Sequence, residues 1–332
     1  GCIRGCRFCQ AGMIYRPNRE KGVKRLKELA QTMLASTGYE EISLSSLSSS
    51  DYSDLEELIN FLIEECDKKH VNISLPSLRI DAFSLDIMQK VQDIKKSSLT
   101  FAPEAGSQRL RNVINKGLTV DNILTGSHDA FVGGWNKVKL YFMLGLPTET
   151  EEDMRAIPEL ANEIAALYYD TVPKEQRNGK CQITISTSFF VPKPFTPFQW
   201  ATMLDPSDYL ARAKIVNDHV KEQLNHKSIR YNWHEADVTV LEGILARGDR
   251  HYDLWLEAFA ACGIDIDFYT KRARSDDEIF PWDFIDVGVT KAFMLREWKT
   301  ALSETVTPNC RMRCSGCGAR QFGGGVCFEN QN

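Results

Sequence analysis

Nowhere does the sequence carry an apolar run long enough to span a bilayer, which excludes a helical membrane protein, and no membrane partner is expected. Excess basic charge is missing too. Lys and Arg total 40 against 45 Asp and Glu, a net charge of −5, so the broad basic footprint of a bulk nucleic-acid binder is excluded. The densest basic run, Arg16, Arg19, Lys21, Lys24 and Arg25, leaves a local basic cleft open but reads first as a solvated helix face. Histidine is scarce at 6 residues, and none forms an HExxH-type pair, which excludes that zinc-hydrolase pattern. There is no convincing internal repeat. What is there is ordinary in bulk: 332 residues, 43% hydrophobic and 26% charged, enough for a barrel plus an appendage.

Cysteine is plentiful, 10 in all, but not where a secreted disulfide framework would put it. Cys66, Cys181 and Cys262 stand alone in apolar patterns and are expected to be small core residues. The others fall in two knots at the two ends of the chain. Tight knots in a long chain suggest metal, hence a reducing compartment and the cytoplasm. The chain opens on Gly1-Cys2, so further sequence is expected upstream.

Between the knots, short β-rich runs alternate with helical patterns. The strand candidates are Glu41–Leu44, Val71–Leu75, Ser98–Phe101, Lys137–Leu144 and Gln182–Phe189. Ser53–Lys68 repeats Leu55, Leu58, Ile59, Leu62 and Ile63 at helical spacing, and Ser53 with Glu56 reads as a capping box. A second helix is expected from Thr150 to Tyr169, acidic in its first turn as the helix dipole prefers. Alternation of this kind implies an α/β fold with a parallel sheet, open or closed. The loop Val191–Trp200, rich in Pro and aromatic residues, ends the last expected strand. Helices are expected beyond it, at Ser207–Leu224, Asp237–Arg247, Tyr252–Cys262 and Val289–Leu302. The division is therefore 1–200 core, 201–306 helical region and 307–332 Cys-rich tail.

The first knot, GCIRGCRFC, spaces Cys2, Cys6 and Cys9 as Cys-x3-Cys-x2-Cys. Three thiolates can ligate three irons of a cubane and leave the fourth open to a small chelating ligand. Structural zinc needs four ligands, so that reading requires a distant fourth residue. With Phe8 just before Cys9, the motif resembles the signature of the radical S-adenosylmethionine (SAM) superfamily. The resemblance implies a partial (β/α)6 barrel whose first strand lies before Gly1. It also implies a 4Fe–4S cluster on Cys2, Cys6 and Cys9 whose open iron binds SAM. Reductive cleavage then yields a 5′-deoxyadenosyl radical that attacks an unactivated C–H bond.

Segments just after the expected strands are similar to SAM-contact segments of the elongator-type, methylthiotransferase and cobalamin-dependent branches. They are LPSLRID (Leu75–Asp81), FAPEAGSQRLRNVINKG (Phe101–Gly117) and YFMLGLPTETEED (Tyr141–Asp153). By position, the likeness makes Glu104 a partner of the ribose hydroxyls or amino group. Arg79 and Lys116 become cations for the carboxylate, and Gly145 a close approach to the adenine. Phe8 belongs to the same cofactor site. Ser45–Tyr52 is Ser-rich where the family commonly has Gly-Gly-Glu. Each of these residues also has a plain role open to it: Glu104 as a cap for the helix near Ser107, Lys116 as a solvated helix end, Arg79 as a partner of Asp81.

Gly1–Glu20, the Phe190–Trp200 loop and Leu245–Arg250 together look like one uncharacterised branch, usually preceded by a cobalamin-binding-like domain. Cobalamin in the full-length protein is an expectation of that likeness. So is an electron donor such as flavodoxin or ferredoxin. Methyl or methylthio transfer to RNA or protein is the reaction expected by branch analogy, with a small-molecule substrate also open.

The second knot, Cys310, Cys314, Cys317 and Cys327, repeats the first spacing and suits an auxiliary iron–sulfur cluster or zinc. Asp249, Arg250, His251, Trp282 and Asp283 are second-tier candidates for a substrate cavity, and Trp282 and Phe284 look like core anchors. Two non-enzymatic alternatives stand beside the enzyme: an iron–sulfur scaffold or electron carrier, and a zinc-binding interaction module.

Overall fold

The computed structural model describes residues 1–74, 99–248, 257, 260–263 and 270–325. Chain order begins with helices α1 (Gln10–Ile14) and α2 (Val23–Ser36), strand β1 (Glu41–Ser43), helix α3 (Leu55–Asp67) and strand β2 (Asn72–Ser74). Strand β3 (Leu99–Glu104), helices α4 (Gln108–Val113) and α5 (Val120–Val132), and strand β4 (Lys137–Leu144) follow. Then come α6 (Glu151–Thr171), β5 (Gln182–Phe189), α7 (Pro206–Glu222), β6 (Ile229–Trp233), α8 (Ala236–Arg247) and α9 (Lys291–Leu302).

Every strand pairing among the described residues is parallel: β1 with β2, and β3–β4–β5–β6 in a four-stranded sheet. The expected α/β class is what the chain adopts. Parallel neighbours need crossovers, and the intervening helices supply them. Along β4 burial alternates, with Val138, Leu140, Phe142 and Leu144 all inward. Those side chains and Ile183 and Ile185 of β5 meet Ile157, Ala161, Ile164 and Ala165 of α6 in the main core. A second core forms where Ile59, Leu62 and Cys66 of α3 pack with Ile42 and Ile73.

Several expectations are corrected. The sheet does not end at β5: β6 pairs with it from Ile183↔Ile229 to Thr187↔Trp233. Only Ile229 of β6 is buried, which left no alternating apolar signal to read. Ser53 does not cap α3, which starts after Asp54 without a side-chain cap bond. Its N–H donates to Glu20 Oε2 at 3.1 Å and its Oγ accepts from Arg311 Nη2 at 2.8 Å. Cys66 and Cys181 are buried as expected, whereas Cys262 is exposed. Trp282 is buried and donates to Gln199 Oε1 at 2.9 Å, but Phe284 is 85% exposed and anchors nothing. Asp283 closes a turn, accepting from the Phe280 N–H at 2.9 Å. The expected helix Tyr252–Cys262 and the residues Asp249, Arg250 and His251 lie wholly or largely outside the described residues.

Glu149, just beyond β4, is a buried carboxyl. It accepts the Gly145 N–H at 2.8 Å, and Arg212 Nε lies 3.3 Å away. Burial dominates and pushes its pKa up to about 7 from 4.5, against the pull of the Gly145 N–H and Arg212. A folded pKa above the unfolded one means the contribution to stability is full below about 4.5 and lost as pH rises through about 7. Glu149→Gln keeps an acceptor for Gly145 without the charge. Denaturant unfolding should find it near wild type at pH 5 and about 1–3 kcal/mol more stable at pH 8. Lower stability at pH 8 would mean that the Arg212 contact outweighs burial.

Candidate cluster and cofactor site

The loop Gly1–Cys9 runs directly into α1. Cys9 stands at its N-cap, and the Cys9 N–H donates to the Cys6 carbonyl at 3.2 Å, closing the turn between them. Two sulfurs already accept backbone hydrogens: Cys9 Sγ from Gly12 at 3.3 Å and Cys2 Sγ from Arg4 at 3.4 Å. All three thiols are half-buried. Burial, then the neighbouring Cys6, push the Cys9 thiol up; the Gly12 hydrogen bond and the more distant Lys116 pull it down, and Cys2 adds to the rise. These are electrostatic neighbours in one loop.

Gly5 has a steric reason to be glycine, because a Cβ there would lie 2.8 Å from Asn115 Nδ2. That amide donates to the Gly5 carbonyl at 3.0 Å and to the Thr307 carbonyl at 3.1 Å. Between the cysteines, Arg7 is wholly buried. It donates to Glu297 Oε2 at 3.2 Å, the Asn112 and Val113 carbonyls at 3.1 and 2.9 Å, and the Thr305 carbonyl at 2.8 Å. Arg4 reaches the other way, forking onto Asp51 at 2.9 and 2.5 Å. Ser48 Oγ also donates to Asp51, at 2.7 Å, so the Ser-rich segment is tied to the loop.

Phe8, Glu104 and Lys116 come together. Glu104 ends β3 at φ +69 after a bulge, a conformation a non-glycine residue adopts at a cost. Lys116 Nζ lies 3.1 Å from Glu104 Oε1 and 5.9 Å from the centre of the Phe8 ring. Both charged side chains are largely buried, so Lys116 is not a solvated helix end. Ser107 caps α4 itself, accepting from Leu110 N–H at 3.0 Å, so Glu104 is not that cap. Sequence reasoning missed Arg111, which is fully buried and holds the segment after Glu104 through the Ala105 and Gly106 carbonyls at 3.0 and 2.7 Å.

Gly145 has φ +83, and a Cβ there would meet Tyr209 Cε1 at 2.5 Å, so packing alone demands glycine. Arg79 lies outside the described residues. A cavity of about 730 Å³ opens beside Cys2, lined by Ser43–Ser49, Asp51 and apolar residues of α2 and α3. That size suits a small-molecule ligand. Phe8, Glu104, Lys116 and Gly145 do not line it.

The second knot folds back onto the first. The Cys310 N–H donates to the Ile3 carbonyl at 3.0 Å, and Arg311 forms an ion pair with Glu20. Cys317 is buried beside Met13, Trp200 and Phe293, Cys314 is exposed, and Cys327 lies outside the described residues. Among the described residues no three His, Cys, Asp or Glu side chains form a group that could hold a metal ion. Thiolates of a cubane each bind a separate iron and need not converge on one point, so the first loop's donor set still fits a cluster.

A three-thiol loop leading into parallel α/β units, with a buried ion pair at a strand end, is the arrangement that the radical SAM likeness implies. Residues 1–161 match the family model for the Radical SAM superfamily, and this part of the chain is a radical SAM domain. The chain is also 35% identical over 257 residues to the uncharacterised protein MJ0966 of Methanocaldococcus jannaschii, covering 77% of this chain and 52% of that protein. It thus spans about half the length of that relative.

Among solved structures, methylornithine synthase (PylB) is similar at 15% identity and a TM-score of 0.42, over 82% of this chain and 80% of that one. The arginine decarboxylase of Paramecium bursaria Chlorella virus scores 0.30 at 14% identity, over 63% and 55%. Scores of this size carry no chemical inference. No helix among the described residues is long and apolar enough to cross a membrane.

Proposed function

We propose that the protein is a radical SAM enzyme in which Cys2, Cys6 and Cys9 hold a 4Fe–4S cluster beside a SAM site that includes Phe8, Glu104 and Lys116. When bound, the cluster and SAM supply reductive cleavage to methionine and a 5′-deoxyadenosyl radical able to take hydrogen from an unactivated C–H bond. The observation that carries this reading is the buried Lys116–Glu104 pair beside the three-thiol loop, with Lys116 Nζ 5.9 Å from the ring of Phe8 in that loop. A ligand bringing both a carboxylate and an amino or hydroxyl group can compete for the two ends of that pair. Arg4, through Asp51, holds the Ser-rich segment against the loop, and Arg111 fixes the backbone that follows Glu104.

Methyl or methylthio transfer to RNA or protein is the reaction we favour, by branch analogy alone. Cobalamin in the full-length protein, an auxiliary cluster or zinc on the second knot, a flavodoxin or ferredoxin donor and a cytoplasmic location complete the proposal.

SAM titration into two variants tests the site. Glu104→Gln and Lys116→Met should each weaken binding about ten- to hundredfold, the loss of one charge-assisted hydrogen bond, with cluster absorbance intact. Each also leaves its partner's charge uncompensated and lowers thermal stability. The double variant should regain part of that stability and none of the affinity. Unchanged affinity in both single variants would remove the pair from the SAM site.

A further inference from the structure

Arg16 sits where the bulk sequence suggested a solvated face, yet it is only 4% exposed. Nε donates to the Gly12 carbonyl at 3.0 Å, in the turn that follows Cys9. Nη2 reaches the Arg4 carbonyl at 3.4 Å, between Cys2 and Cys6. The Phe293 ring, 5.4 Å from the guanidinium carbon, covers the group from α9. Arg16 therefore bridges both ends of the cysteine loop from inside the protein. Its third nitrogen, Nη1, is buried and has no hydrogen-bond partner among the described residues.

A guanidinium stays charged, and its buried N–H groups are almost always satisfied. The side chain cannot be turned outward to find water without giving up the two bonds that staple the loop. The absent partner is an acceptor that the described residues do not provide at this place. Cluster sulfides and cysteine thiolates carry negative charge and accept hydrogen bonds, and Arg16's two existing bonds fall between Cys2 and Cys6 and just after Cys9.

We propose that Arg16 Nη1 donates a hydrogen bond to the cluster held by Cys2, Cys6 and Cys9, which makes Arg16 a positioning and tuning residue of that site. This rests on the cluster reading above. Hydrogen bonds to sulfur are one of the levers that set cluster potentials. A cationic donor favours the more negative, reduced form, so Arg16 raises the potential and eases reduction. No bond is made or broken, and the one electron still comes from the external donor.

Redox titration of the reconstituted holoprotein, followed by the electron paramagnetic resonance of the reduced cluster, tests the proposal. In Arg16→Met the ratio of reduced to oxidised cluster at a fixed poise should fall about tenfold, equal to about 59 mV for a one-electron couple. Arg16→Lys, which keeps the charge, should recover part of the loss. Wild-type protein carrying arginine labelled with ¹⁵N at both η nitrogens needs no variant, and its reduced cluster should show a ¹⁵N coupling. An unmoved potential in Arg16→Met, or no ¹⁵N coupling in wild type, would overturn the proposal. Weaker SAM binding with an unmoved potential would overturn it as well and give Nη1 to the ligand. Failure of wild-type protein to retain iron on Cys2, Cys6 and Cys9 is a separate result, and it would remove the cluster reading first.

Discussion

Arg7→Met is expected to destabilise the protein by about 3–5 kcal/mol, the usual cost of breaking a buried ion pair from one side. Nothing else in the cysteine loop is so completely enclosed: Arg7 has no exposed surface, and Glu297 is 4% exposed. Removing the guanidinium leaves the Glu297 carboxylate buried with only the Thr307 hydroxyl, at 2.8 Å, to bond it among the described residues. It also takes a donor from the carbonyls of Val113 and Thr305, and from that of Asn112, which keeps the Asn115 N–H at 3.0 Å. Since those groups belong to α4, to α9 and to the stretch leading into the tail, the loss should unlock the cysteine loop from three sides. Glu297→Gln keeps an oxygen acceptor and should cost less, about 1–2 kcal/mol. Denaturant melts of the apoprotein measure both, as a lower midpoint with unchanged slope. An Arg7→Met midpoint within error of wild type would mean that the tail does not brace the loop.

Cys6→Ala should abolish the cluster chemistry while leaving the fold in place. Cys6 is half-buried and its sulfur is no part of a packed core, so stability should change by less than about 1 kcal/mol. With two thiolates left, the loop cannot complete a three-iron ligand set. The reconstituted variant should lose the cluster's visible absorbance and produce no 5′-deoxyadenosine above background. Cys66→Ala is the matched control: its thiol is buried in the α2–α3 core, so it should cost stability and leave the cluster alone.

What was legible in the sequence was what short-range chemistry encodes. β4 and β5 begin and end where alternation and β-branched residues put them. The acidic first turn of α6 marks its start, and the Thr150 N–H donates to Asp153 Oδ2 at 2.8 Å. The cysteine spacing and the clustering of Phe8, Glu104 and Lys116 could be read through family likeness, because each follows an expected strand.

What was hidden depends on partners remote in sequence. Arg7 is an unremarked position of the cysteine motif, and its carboxylate lies 290 residues on. Arg16 looked solvated because local charge cannot show that α9 would cover it. Ser53 had the residues of a capping box, yet Glu20 and Arg311 claimed it. Gly145 looked like a ligand approach, while the side chain filling its missing Cβ comes from α7.

The central claim is that this loop and its surroundings form a working radical SAM site, and direct product analysis tests it. Wild-type protein, reconstituted anaerobically with iron and sulfide and reduced with dithionite, should convert SAM to 5′-deoxyadenosine and methionine in equal amounts. Conversion should depend on reductant and vanish in Cys6→Ala. Protein that holds a full complement of iron on the first knot, takes up an electron and still leaves SAM intact would contradict the account, and would favour the iron–sulfur scaffold instead.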